Sequence, residues 1–94
     1  MKEIKITALN EKGKNALKQH YDESRKLRII HKITFKQLGF RQKIESTDPF
    51  ILFLEIKNKY FRNVLGPEKF KNQIIETMSK NGANPKDYKI EVIE

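Results

Sequence analysis

The side chains with the most chemical potential in this 94-residue chain are basic, and they are unevenly distributed. The formal net charge is +8, but twelve of the 20 lysines and arginines and only one of the 12 acidic residues fall in segments 24–44 and 57–71. Clustered cations attract phosphate groups and other anions. The distribution therefore indicates an anionic partner more specifically than the total charge does.

These two basic segments and the apolar stretch between them suggest a way to bind RNA or single-stranded nucleic acid. Lysine and arginine contact phosphates without reading sequence, and an exposed aromatic ring can stack on a base. The aromatic residues that could stack on a base are Phe53, Tyr60 and Phe61. The predicted nucleic-acid-binding residues are Arg25, Arg28, Lys32, Lys36, Arg41, Lys43, Phe53, Lys57, Lys59, Tyr60 and Arg62.

Aromatic residues on the central strands are how RNA-binding domains of the RRM type read bases. Residues 51–56 lack the Lys/Arg-Gly-Phe-Gly-Phe signature of those domains, and the first predicted strand has no aromatic residue. The expectation is therefore phosphate binding by clustered cations rather than base reading of the RRM type.

Residues that could catalyse a reaction or hold a metal are few. His20 and His31 are eleven positions apart and form no HxH or HxxxH pattern, and Asp22 and Glu23 would point to different sides of a helix. Gly66-Pro67-Glu68-Lys69 could bind an anion at a helix start, but Pro67 removes one N–H donor there. We predict no enzyme activity, no cofactor and no metal site.

Composition limits the class of protein. The chain suits one domain, residues 1–94, and with no cysteine it has no disulfide framework. Its start does not resemble a signal peptide, and its longest apolar run is far below the roughly 20 residues that cross a bilayer. A cytoplasmic protein without membrane contact is the expectation.

The element that must organise the rest is the apolar run Phe50–Ile56, read as a buried strand. The turn residues 45–49 precede it, so segments 38–46 and 50–57 should form a hairpin. Leu52, Leu54 and Ile56 would face the helices, and Ile51, Phe53 and Glu55 the opposite side.

Residues 2–9 alternate as a first strand, and Asn10 is placed to cap a helix carrying Ala16, Leu17 and Tyr21 on one face. The end of this helix is ambiguous. The apolar residues of 27–36 fit helical spacing in part, but strand alternation accounts for more of them, and a strand beginning near residue 27 is favoured. The residues on the apolar side of the strand pattern have odd numbers up to Phe35 and even numbers from Leu38 onward. This change predicts a bulge, bend or loop at 36–39.

After the hairpin, 59–65 reads as a short helical turn closed by Gly66, and Pro67 announces a second helix that ends at Asn81-Gly82. A last strand alternates from Tyr88 to Ile93. The predicted fold is therefore α+β, a two-layer sandwich of the ferredoxin-like βαββαβ type, with an antiparallel sheet and both helices on one face.

This fold leaves one sheet face open, and Ile30, Ile51, Phe53 and Ile93 would lie on it. Apolar residues on an open face more often indicate a homodimer than a ligand platform. A lysine-rich composition is also common on the surfaces of thermophilic proteins. The alternative function is therefore a non-enzymatic structural or interaction domain that self-associates through its sheet face.

Overall fold

Four strands and two helices make up the part of the chain that the computed structural model describes. The backbone is described at residues 3–30, 40–56 and 59–93, and the side chains there except at positions 24, 26–30, 40, 41, 56, 59–67 and 70. The elements are β1 (Glu3–Ala8), α1 (Glu11–Ile30), β2 (Phe40–Thr47), β3 (Phe50–Ile56), α2 (Lys59–Lys80), a 3-10 turn (Pro85–Asp87) and β4 (Tyr88–Ile93).

The strands form one sheet in the order β2-β3-β1-β4, and every neighbouring pair is antiparallel. β2 and β3 form the predicted hairpin across Asp48-Pro49. Ile44 pairs with Leu52 and so lies on the helix side as expected, but it is 36% exposed because β2 is a sheet edge.

One hydrophobic core joins the sheet to both helices, which confirms the two-layer α+β sandwich. Strand alternation directs every second residue of β1 and β3 toward the helices, as the sequence predicts. Ala16 and Leu17 of α1 and Ile74 and Met78 of α2 belong to the same cluster. The buried core residues are Ile4, Ile6, Ala8, Ala16, Leu17, Phe50, Leu52, Leu54, Ile74, Met78, Ala83 and Tyr88.

The start of α1 and the end of α2 are capped as the sequence predicts. Asn10 Oδ1 accepts a hydrogen bond from the Gly13 N–H at 2.9 Å, which is N-cap geometry. At the other helix, the N–H of Ala83 donates to the Met78 carbonyl and that of Gly82 to the Ser79 carbonyl. Gly82 has a φ of 94°, so this is a Schellman motif.

The first helix is longer than predicted. α1 continues to Ile30, so the expected strand beginning near residue 27 is wrong at 27–30, and Ile30 does not lie on the sheet. Four residues are too few to separate a period of 2 from 3.6, and differences in helix propensity of under about 0.7 kcal/mol per residue do not stop an established helix. The remainder of that strand and the bulge predicted at 36–39 lie outside the described residues.

The second helix also differs from the prediction, because Lys59–Lys80 is a single helix that runs through Gly66 and Pro67. The helix propensities of glycine and proline disfavour an interior position, but tertiary context can override them. The helix start predicted at 66–69 is therefore wrong. The possible anion site there loses its basis, because the backbone N–H groups of a helix interior are already used.

Candidate nucleic-acid interface

On the sheet face opposite the helices, which we call the open face, the residues form rows across the strands, because cross-strand partners lie side by side. Each row contains one position from every strand, taken in the order β2, β3, β1, β4. The rows are Arg41, Glu55, Glu3, Ile93, then Lys43, Phe53, Lys5, Glu91, and then Ser46, Ile51, Thr7, Lys89.

The middle row places an aromatic ring between two lysines. Phe53 is half-buried and has Lys43 opposite it on β2 and Lys5 opposite it on β1. The Lys5 Nζ lies 6.0 Å from the centre of the Phe53 ring, at the outer limit of a cation–π contact. Phe53 and Lys43 were both predicted site residues, and the structure brings them together. Lys5 was not among the predicted site residues. The sequence pattern indicates that Lys5 points away from the helices, but it does not indicate that Phe53 of β3 lies next to it.

Carboxylates interrupt the cations of this face. Glu3 and Glu55 are direct cross-strand partners, and Glu91 is the partner of Lys5. A shallow groove of about 350 Å³ is lined by Glu3, Lys43, Glu45, Phe53 and Glu55. The described part of the face therefore has mixed charge: Lys5 and Lys43 flank Phe53 within its row, and three carboxylates line the groove next to the ring.

The ends of the elements bring the two basic segments toward one end of the fold. β2 begins opposite the end of β3, at the Phe40 and Ile56 pair, and α2 begins three positions later at Lys59. α1 starts beside Ala8 at the other end of β1, packs on the core at Ala16, Leu17 and Tyr21, and continues to Ile30. We define the basic end as the last turns of α1, the start of β2 and the start of α2.

Arg25 is the predicted site residue with the best-defined position at the basic end. It is exposed, and its guanidinium carbon lies 5.7 Å from the centre of the Tyr21 ring, one helical turn earlier. Tyr21 packs against the core. This contact holds the stem of Arg25 against the helix and leaves the cation accessible to an anion.

The other predicted site residues are located by their backbone or lie outside the described residues. Arg28 is in α1, so it does not share a strand face with Lys32 and Lys36 as expected. Arg41 is in β2, and Lys59, Tyr60, Phe61 and Arg62 form the first turns of α2. Lys32, Lys36, Lys57 and His31 lie outside the described residues.

Groups suited to metal or acid–base chemistry do not converge in the described ranges. No cluster of three or more histidine, cysteine, aspartate or glutamate side chains is placed there to hold a metal ion. Burial lowers the pKa of His20, and the nearby Glu23 charge partly opposes this effect. Asp22 and Glu23 are both exposed.

Comparisons with protein-family models, with curated proteins and with solved structures found no match to this chain. Among the described residues, neither helix has a stretch long and apolar enough to cross a membrane.

Proposed function

We propose that this chain is a small nucleic-acid-binding module that uses phosphate contacts from clustered lysines and arginines, with RNA or single strands as the favoured ligand. It acts as a binding module without catalytic activity or cofactor, in the cytoplasm. The scaffold we propose is the ferredoxin-like fold. The observed strand order, with β1 and β3 central and β2 and β4 at the edges, supports that assignment.

The observation that carries the proposal is the common location of the backbone of the two basic segments. Segments 24–44 and 57–71 contain most of the excess positive charge, and the directions of α1, β2 and α2 place their described parts toward the same end of the fold. Converging cations from distant parts of a chain raise the local potential and attract a polyanion. Arg25, Arg41, Lys59 and Arg62 are the residues there that we expect to contact phosphates.

The row Lys43, Phe53, Lys5 supports a preference for single strands. Phe53 is half-exposed on the open face, one row away from the Arg41 position at the basic end. A base can stack on this ring while its phosphates approach Lys5 and Lys43. Glu55 and Glu3 occupy the β3 and β1 positions of the Arg41 row and would repel a phosphate backbone there. The path we propose therefore follows β2, from Lys43 to Arg41 at the basic end.

The test is a titration with a labelled oligouridylate at several salt concentrations. We expect Arg25→Gln with Lys43→Gln to weaken binding roughly tenfold at low salt and to reduce the salt slope by about 1.4, or 0.7 per lost phosphate contact. The matched control is Lys18→Gln with Lys86→Gln, which removes the same charge from exposed positions outside the basic segments. No binding at low salt, or equal losses in both double variants, would contradict the proposal.

Stacking on Phe53 has its own test. Phe53→Leu keeps an apolar side chain but removes the ring, and it should weaken oligouridylate binding by about 1–3 kcal/mol. Ile51→Val, on the same strand and face, is the control and should bind normally. Unchanged affinity in Phe53→Leu would show that the Phe53 ring does not stack on the bound nucleic acid.

A second candidate function is self-association through the open sheet face. Ile51 and Phe53 are half-buried there and Ile93 is 37% exposed, which gives the face an apolar component. In this case Phe53→Ser should abolish a dimer without unfolding the chain, as judged by sedimentation and circular dichroism. A wild-type protein that stays monomeric at high concentration would exclude this candidate.

A further inference from the structure

The β4 edge of the sheet has backbone groups that no described strand pairs. β4 is the last strand in the order β2-β3-β1-β4 and pairs with β1 without interruption from Tyr88 to Ile93. An open edge of this kind is a template for another strand. The opposite edge is less regular, because β2 has a register shift between Ile44 and Ser46, and such bulges discourage edge pairing.

The outward backbone groups of β4 can be identified from one hydrogen bond. The Leu9 N–H donates to the Asp87 carbonyl at 2.9 Å, directly beyond the Ala8 and Tyr88 pair. Bonded and non-bonded pairs alternate along an antiparallel ladder. Lys89, Glu91 and Ile93 therefore bond to β1, and the N–H and C=O groups of Tyr88, Ile90 and Val92 point away from the sheet.

The side chains of β4 follow a pattern that is complementary to itself. Lys89 and Glu91 lie on the open face with their Nζ and Oε1 atoms 3.9 Å apart, and their side chains are 64% and 41% exposed. Ile90 lies between them on the helix side, and Ile90 and Val92 are half-buried. When this strand is turned end for end about Ile90, Glu91 takes the position of Lys89 and Lys89 takes the position of Glu91.

We infer that β4 pairs with β4 of a second copy of this chain, antiparallel and centred on Ile90, so that the two sheets become continuous. In this register Ile90 faces Ile90 of the other copy, and Tyr88 faces Val92, through the outward backbone groups. Lys89 of each copy then faces Glu91 of the other in a non-bonded pair, where Cα atoms are about 4.5 Å apart and side chains are closest. The interface is isologous, as a two-fold dimer requires.

Charge selects this register over its neighbours. Because the outward backbone groups belong to alternate residues, the pairing can slide only in steps that keep those residues opposite one another. A slide in one direction brings Lys89 opposite Lys89, and a slide in the other brings Glu91 opposite Glu91. Like charges directly opposite destabilise a strand pair, so the Ile90-centred register is preferred.

The experiment exchanges these charges and measures mass by analytical ultracentrifugation up to about 1 mM protein, without nucleic acid. Wild type should dimerise, and Lys89→Glu or Glu91→Lys alone should raise the dimer dissociation constant at least about tenfold, since each turns two attractive pairs into repulsive ones. An equimolar mixture of the two single variants should form a heterodimer, and the double exchange should restore the homodimer. Circular dichroism verifies that each variant is folded.

Three results would overturn the inference. The first is a wild type that is monomeric throughout the concentration range. The second is a dimer that neither single charge reversal weakens, because its interface would then lie elsewhere, for example at Phe53. The third is a mixture of the two single variants that stays monomeric, because charge complementarity across β4 would then be absent.

Discussion

Asp87 joins the two halves of the chain at the end of the fold opposite the basic end. Its Oδ1 accepts a hydrogen bond from Asn10 Nδ2 at 2.8 Å, and its Oδ2 accepts one from the Asn84 N–H at 2.9 Å. Gly13 lies against the Asp87 carbonyl so closely that a Cβ would clash with it. Asn10 thus caps α1 through its Oδ1 and, through its Nδ2, holds the turn that leads into β4.

These contacts make a prediction about pH. Hydrogen bonds from Asn10 and from the Asn84 backbone lower the pKa of Asp87, with smaller contributions from Lys12 and Lys86. A carboxyl whose folded pKa is depressed stabilises the fold above its unfolded pKa, and this contribution is lost as the pH falls through the folded pKa. Asp87→Asn should therefore be less stable than wild type at pH 7, and the difference should shrink below about pH 4.

The measurement is the urea unfolding free energy from pH 2 to pH 7. Asp22→Asn is the control, because it removes the same charge from an exposed position on α1. This control should keep the pH dependence that Asp87→Asn loses. A constant difference between wild type and Asp87→Asn over the whole pH range would contradict the assigned hydrogen bonds.

At the scale of elements, the strands were easier to predict than the helix ends. Alternation over β1, β3 and β4 correctly predicts which side chains face the helices, because a period of 2 reverses its face at every residue. The 27–30 stretch and the Gly66-Pro67 pair were misinterpreted, because local preferences there are weaker than the continuity of a helix that has already formed.

Neighbouring residues of β3 provide a direct test of this alternation. Leu52 is fully buried in the core and Ile51 is half-buried on the open face. Leu52→Ala should destabilise the fold by about 2–5 kcal/mol, because it removes packing and leaves a cavity. Ile51→Ala should cost roughly 1 kcal/mol, because its lost burial is smaller. Chemical denaturation measures both values, and equal losses would contradict the assignment of faces.

At the scale of the molecule, one core connects the sheet to both helices. Leu17 of α1, Leu52 of β3 and Met78 of α2 are all fully buried in the same cluster. A second link joins the helices directly, because Asn81 Nδ2 donates to the Ala16 carbonyl at 3.2 Å. The helices and the sheet should therefore lose their structure together.

The expected result is a single unfolding transition in urea. Circular dichroism reports the helices, and tyrosine fluorescence reports the packed rings because the chain has no tryptophan. The two midpoints should coincide. Met78→Ala should move both to the same lower urea concentration and should reduce the unfolding free energy by about 2–5 kcal/mol. Gln73→Ala, at an exposed position of α2, is the control and should change stability by less than about 0.5 kcal/mol. Separate midpoints would show that the helices unfold independently of the sheet.

The candidate site could be predicted only in part. Charge segregation along the chain was visible in the sequence, and so was the outward orientation of Lys5, Lys43 and Phe53. That Lys5 and Lys43 flank Phe53, and that Glu3 faces Glu55, depends on register between strands far apart in the sequence. No local pattern encodes such a register, because it is set when buried residues of several elements pack together.

The sequence by itself determined the α+β class, the buried side of each described strand other than β2, the caps at Asn10 and Gly82, and the excess of positive charge. These follow from interactions within a few residues: alternation, side-chain capping and backbone conformation. Only the tertiary structure decided the extent of both helices, the mixed charge of the face opposite the helices, and the edge of β4 that no described strand pairs. Each of these depends on which distant residues become neighbours when the core is buried.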